Sequence, residues 1–367
     1  MAALVTTLAT HVTAPVNYVL MKGLLSAARK KLPYFNGTLP GTLEKNQGSL
    51  SVEWQRINNL TAATTALGEF VGTAAFLYGR SLVQPTVSNI TVATAKYGNA
   101  LQVTEELDFT QVNTRAAKFL DTLGANAGES LNTLMYDVYN GSTQVRYSTG
   151  AAGGGAAGTA GNLVSNVAAS ISVGDIKYGV NLLNANSAQT YTPIGLGSTT
   201  VGSQPIRSSY YGICHVDVEE DIRSLTGFIP VEQYGGYTDT MPFEFGAVGG
   251  VRWSSTQVGT IWKSSVTKTV LGYRNTTILK GLVYTTFIYG KEAIGTVGLG
   301  NMHASNSYEM YNPKTPPAVE VIYKSLGSSG VADPYNEIAS LAWKAWFAGK
   351  ILNATWVVKV KSFATSL

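Results

Sequence analysis

An unbroken apolar stripe between residues 110 and 139 limits what this chain can fold into more than any other feature. Ala116, Phe119, Leu120, Leu123, Ala127, Leu131, Leu134, Met135 and Val138 recur at the spacing of one helix face. At 1.5 Å per residue such a helix is on the order of 40 Å long, long for one globular unit. Gly124 and Gly128 interrupt it one turn apart on the same face. Each costs about 1 kcal/mol in a helix interior, so the pair predicts a second backbone crossing closely there.

Most of the rest reads as strands and turns, which makes the class α+β. Apolar residues form 45% of the chain, enough for a sizeable core, but charged residues only 13%, against about 25% in an ordinary soluble domain. Gly (39) and Tyr (20) fill much of the gap. A surface so short of charge predicts that other copies or partners cover much of it. The net charge is +4, and Arg29-Lys30-Lys31 is the one dense basic run, which argues against a dedicated nucleic-acid binder. A single cysteine, Cys214, excludes an internal disulfide and a cysteine-based zinc site. Six Asn-x-Ser/Thr triplets, starting at Asn36, Asn59, Asn89, Asn140, Asn275 and Asn353, are expected by chance in so Asn- and Thr-rich a chain. No basic residue precedes the apolar N-terminus, Lys22 interrupts it, and no apolar run approaches ~18 residues. The chain is expected inside a cell or in a particle made there.

Residues 1–14 read as an extended arm, followed from Pro15 by a helix that Pro33 ends. Strand patterns cover Leu50–Asn58 and Asn89–Val103, with an Ala/Thr/Gly-rich stretch between them that holds Glu69 and Arg80. A two-stranded excursion of this length is marginal alone, so residues 49–103 are expected to project and to pack on a neighbour. Gly153, Gly155 and Gly158 satisfy G-x-G-x-x-G in letter only, because no strand precedes them. A short helix is expected over Asp175–Ala185. Tyr210–Val216 reads as a strand, followed by a capping box with Asp217 at the N-cap and Glu220 at N3, and a helix to Thr226 ended by Gly227. Strand Val319–Lys324, a turn at Gly327–Pro334, an apolar segment Leu341–Phe347 and strand Thr355–Lys361 follow.

Catalytic chemistry is not evident. The histidines are His11, His215 and His303. Cys214 and His215 are adjacent in a strand and so point to opposite faces, which rules out a thiol–imidazole pair. His215 and Asp217 share a face without a third metal ligand. The carboxylates at Glu105-Glu106-Asp108 and Glu219-Glu220-Asp221 fall at helix starts, where the dipole stabilises anions. No cofactor, metal or enzyme activity is expected.

The order of the parts resembles the major capsid protein of tailed bacteriophages, the Hong Kong 97 fold, and within it the coliphage N-four type branch. The carrying segments are Leu43–Thr65, Tyr97–Asp108, Ala127–Tyr139, His215–Arg223, Phe287–Leu299 and Asp333–Lys361. The sequence departs from the pattern at Val216, where a proline is expected. The resemblance implies an N-terminal arm with a helix (1–48), an E-loop with flanking strands (49–108), and a peripheral-domain spine helix (109–148). An axial domain (149–318) and return strands of the peripheral domain (319–367) complete it. It further implies hexamers and pentamers closing an icosahedral head around double-stranded DNA, with Glu69 and Arg80 forming intersubunit ion pairs. Portal, scaffolding and decoration proteins would be partners, contact with DNA weak and non-specific, and membrane contact absent. The protein would be assembled in the host cytoplasm and reside in the virion. The alternatives are a β-rich tail or receptor-binding component and a nanocompartment shell of the same fold.

Overall fold

A computed structural model describes residues 32–43, 50–57, 60, 62, 64, 84–106, 115–149, 157–158, 167–191, 208–234, 240–259, 261–267, 280–299, 319–325, 334–335 and 337–365. In chain order the strands are β1 (Leu39–Leu43), β2 (Ser51–Ile57), β3 (Val87–Ala93), β4 (Ala95–Thr104), β5 (Gln144–Tyr147), β6 (Ala157–Gly158), β7 (Tyr210–His215) and β8 (Ile229–Pro230). They continue with β9 (Glu244–Val248), β10 (Val251–Thr256), β11 (Trp262–Thr267), β12 (Lys280–Tyr289), β13 (Ile294–Leu299), β14 (Val319–Lys324), β15 (Ile338–Ile351) and β16 (Val357–Phe363). The helices are α1 (Arg115–Asn140), α2 (Val173–Ala185) and α3 (Val216–Arg223).

A five-stranded sheet is built on β15, which pairs antiparallel with β4, β13 and β14, while β1 joins β13 in parallel. Along β15, Leu341, Trp343, Ala345 and Phe347 are buried and alternate with half-exposed residues, as expected of a strand with one face on a core. The buried face receives α1, whose Leu123, Ala127, Leu131, Met135 and Tyr139 are 0–2% exposed. The predicted stripe is thus the helix face that packs on the sheet. Gly124 and Gly128 are both buried. Asn126, between them, accepts the Trp343 indole N–H (3.2 Å) and an Asn99 amide N–H (3.3 Å), which ties the helix to β15 and β4.

The second sheet has nine strands in the order β6-β5-β16-β12-β7-β10-β9-β8, with β11 on β12. Its second core gathers Ile176 and Leu183 of α2 and Val218 and Ile222 of α3 with Trp253, Ile288 and Val360 from the strands. α2 starts at a capping box made by Ser172 and Asp175, two residues before the expected helix.

Several expectations are corrected. The strand expected over Asn89–Val103 breaks at Thr94, whose N–H and hydroxyl both donate to the Leu50 carbonyl (2.9 Å each). Only β2 and β3 form the two-stranded ribbon, and β4 belongs to the five-stranded sheet. Asp217 is not the N-cap of α3 and Glu220 is not its N3 partner. His215 caps the helix, its Nδ1 accepting the Asp217 backbone N–H at 3.2 Å. The helix ends at Arg223, and Gly227 (φ +87°) sits in the turn beyond. The final strand starts two residues late because Asn353 caps a turn at Ala354–Trp356, accepting the Thr355 N–H at 3.2 Å. The strands after residue 318 divide between the sheets: β14 and β15 lie in the five-stranded one and β16 in the nine-stranded one. β13, from before residue 318, pairs with β15.

Candidate assembly surfaces

The β2–β3 ribbon pairs Ser51 with Ala93 through to Ile57 with Val87. Its base is packed: Val52, Trp54 and Val92 lie against Val297, Ala348 and Trp346 on the face of the five-stranded sheet away from α1. The Trp54 ring sits so close to Gly41 and Gly295 that a Cβ there would approach it to 2.7 and 2.9 Å, so the seat requires glycine. The distal end is bare. Ile57 is 68% exposed, Leu60 56% and Val87 54%.

A second constellation holds the segment leading into β1. Tyr34 and Phe35 are buried in a short turn at Pro33–Phe35. Three tyrosines from separate elements donate to its carbonyls: Tyr139 to Tyr34 (3.1 Å), Tyr289 to Asn36 (2.7 Å) and Tyr191 to Gly37 (2.7 Å). Gly37 has φ +68°, and a Cβ there would meet the Tyr191 hydroxyl at 2.5 Å. Burial pushes the pKa of Tyr34, Tyr139, Tyr191 and Tyr289 well up, by disfavouring the phenolate. All four therefore stay neutral, which the three clasping donors require.

On β16 the buried Lys359 donates to the Asn140 carbonyl at the end of α1 (2.9 Å). Lys361, fully buried on the same face and opposite Thr285 and Tyr147, has its pKa pushed down to about 8 by burial and by the neighbouring Lys359. The unfolded chain holds this proton up to the ordinary lysine range, so between about pH 8 and 9 unfolding stability rises with pH. Above about pH 9 it falls again, because Cys214 and the tyrosines ionise in the unfolded chain while burial keeps them protonated in the folded one. Lys361→Met abolishes the rise and stabilises the protein at pH 7 by on the order of 2 kcal/mol. Urea unfolding at pH 7, 8.5, 9.5 and 11 (about four points across the window) reads this, and a flat wild-type profile refutes it.

The structure brings few of the sequence-nominated residues together. Glu69 and Arg80 lie outside the described residues. Glu220 is exposed, and Glu219 pairs with Arg223 one turn on (2.7 Å). Asp221 accepts the Thr365 N–H (2.9 Å). Asp217 lies 3.3 Å from His215 Nδ1. Cys214 is buried on the opposite face, and desolvation holds its thiol protonated, so no thiolate forms. Among the described residues no group of His, Cys, Asp and Glu is arranged to hold a metal, and no helix is long and apolar enough to cross a membrane. Two buried ion pairs went unrecognised in the sequence. Arg252 grips Glu244 (2.6 and 2.8 Å), and Arg146 reaches Asp175 (3.3 Å), which also accepts from Ser148 and Ser172.

No protein-family model and no curated protein sequence matches the chain. Solved structures do match. The capsid of Ralstonia phage GP4 aligns over 91% of this chain and 92% of its own at TM-score 0.58 and 10% identity. The head of Helicobacter pylori bacteriophage KHP40 aligns over 91% of both chains at 0.55 and 9%. The acid-stable capsid of Helicobacter pylori bacteriophage KHP30 gives 0.54 and 9% over 91% of this chain and 92% of that one. The chain has a phage capsid fold. The capsid fold accounts for the α+β class with a long helix laid on a sheet, and it extends over about nine-tenths of the residues.

Proposed function

We propose that this chain is a major capsid protein that assembles into hexamers and pentamers and closes an icosahedral head around double-stranded DNA. The observation that carries the reading is the match to phage capsid and head structures over about nine-tenths of both chains. The ribbon's bare apolar end and the low charge content support it, since both leave surface for other copies to cover. In this reading residues 1–48 are the arm, 49–108 the E-loop region, 109–148 the spine, 149–318 the axial domain apart from β13, and 319–367 the return strands, of which β16 joins the nine-stranded sheet. Gly124 and Gly128 admit the crossing sheet, and the role is structural rather than catalytic. The segments that resemble the N-four type branch support that finer placement. Portal, scaffolding and decoration proteins are the proposed partners, and the host cytoplasm the proposed site of assembly.

Sedimentation velocity with negative-stain imaging tests the reading. Closed megadalton particles support it. A discrete ring or trimer that never closes, even with scaffolding protein supplied, moves the weight to a tail component, and protein cargo in purified particles moves it to a nanocompartment. Glu69 and Arg80 are proposed to pair across subunits. Glu69→Lys and Arg80→Glu are each expected to cut particle yield about tenfold, a loss of ~1.4 kcal/mol per contact, and the double exchange to restore it. Single variants that assemble like wild type refute the pairing.

A further inference from the structure

One nitrogen at the junction of β7 and α3 faces two partners that it cannot satisfy together. His215 Nδ1 accepts the Asp217 backbone N–H at 3.2 Å and lies 3.3 Å from Oδ2 of the same residue. An imidazole nitrogen accepts a hydrogen bond only when it carries no proton, and it favours a carboxylate oxygen only when it carries one. The geometry suits both protonation states. The ring itself is held from two sides. Tyr284 lies against it with ring centres 4.9 Å apart, and its Cδ2 edge is turned to Gly259, where a Cβ would meet it at 3.6 Å. At 13% exposure the side chain is sheltered but within reach of solvent protons.

The groups around the ring are few. From α3 come Asp217 and, further along, Glu219, which is paired with Arg223. From β12 comes Tyr284, whose hydroxyl donates to Asp217 and whose pKa is pushed up by burial and by that carboxylate. Across Gly259 stands Tyr136 of α1. From β10 the register partner is Thr256, which does not titrate and whose hydroxyl accepts from Asn132 (3.2 Å). Cys214 of β7 is on the other face, and burial keeps its thiol protonated. Asp217 is the charged group that meets the ring.

We propose that His215 is a proton-operated helix cap. Without a proton on Nδ1 it holds the first turn of α3; with one, Nδ1 donates to the Asp217 carboxylate and the turn loses its cap. The proton comes from solvent, and no covalent bond changes. The Asp217 N–H is one of the donors at a helix start that no carbonyl of the helix can take. Releasing it loosens the turn that carries the buried Val218. The effect reaches the segment past β16, because Asp221 of the same helix accepts the Thr365 N–H (2.9 Å). Acid thereby relaxes the tether of that segment. Both partners belong to one chain, so the device works whether or not subunits close a shell.

Hydrogen exchange on the full chain as unassembled subunits tests this, followed from about pH 8 to about pH 5, the range in which histidine changes charge. Rates are corrected for the intrinsic effect of pH. Wild type is expected to lose about fivefold in protection over residues 216–219, the factor that a typical cap supplies, and to lose protection at Thr365 in step. His215→Asn keeps a capping acceptor that does not titrate, so its protection stays level. Asp217→Asn removes the oxygen that receives the proton, so the loss moves to lower pH. Nitrogen NMR of the wild-type ring is expected to show hydrogen on Nε2 alone at the upper end and on both nitrogens at the lower.

Level protection in wild type overturns the proposal. So does an equal loss in His215→Asn, which places the acid effect elsewhere. A ring that gains its second proton while residues 216–219 stay protected also overturns it, because the turn then does not depend on the Nδ1 lone pair. That comparison uses wild type alone and decides the matter even if neither variant folds.

Discussion

Replacing Arg252 with alanine is expected to lower unfolding stability by about 3–5 kcal/mol, the usual cost of stripping one partner from a buried ion pair. The Arg252 and Glu244 side chains are 2% and 0% exposed and meet through two short bonds. Glu244 also accepts from the Tyr234 hydroxyl (3.1 Å) and the Met241 N–H (2.8 Å). Without the guanidinium this carboxylate stays buried with neutral donors only. Tyr234 already shows the field of that carboxylate, since burial and Glu244 together push its pKa up. The double variant Arg252→Met with Glu244→Gln removes both charges and is expected to recover most of the loss. Urea unfolding followed by circular dichroism checks both. An Arg252→Ala variant within about 1 kcal/mol of wild type would show that water reaches the pair.

Phe287→Ala is expected to cost a similar 3–5 kcal/mol, but with a different local signature. Phe287 is fully buried on β12, its ring centre 6.1, 5.7 and 5.4 Å from those of Tyr34, Tyr136 and Tyr139. Removing it opens a cavity where the segment before β1 docks on α1. Tyr139 can then turn away from the Tyr34 carbonyl. Amide exchange at Asn36 and Thr38, whose N–H groups bond within that turn, is expected to rise by more than the global loss accounts for. Phe287→Leu should recover at least half of the stability. Uniform acceleration of exchange across both sheets would count against a local role for Phe287.

What the sequence made legible was periodicity. The α1 stripe and the ribbon strand Ser51–Ile57 each satisfy their burial pattern within a short window, so local spacing suffices. The helix cap was misplaced because Asp217 outranks histidine in general N-cap preference, whereas His215, two residues earlier, accepts the Asp217 backbone N–H on its Nδ1. The two buried ion pairs were illegible for a different reason. Arg146 and Asp175 are 29 positions apart and meet only because α2 packs beside β5 and β16. Glu244 and Arg252 share a hairpin, yet nothing in the string marks charges on exposed-looking strands as interior.

The place of β16 has a consequence for how the chain is made. Inserted between β5 and β12, it leaves the ribosome after both and bridges strands synthesised more than 200 and about 70 residues earlier. Until it arrives, β5 and β12 each present an unsatisfied backbone edge, and the second core stays open where Val358 and Val360 belong. A chain broken off early cannot close this sheet. The fold thereby inspects its own synthesis, because the second core is completed only in a chain that carries β16.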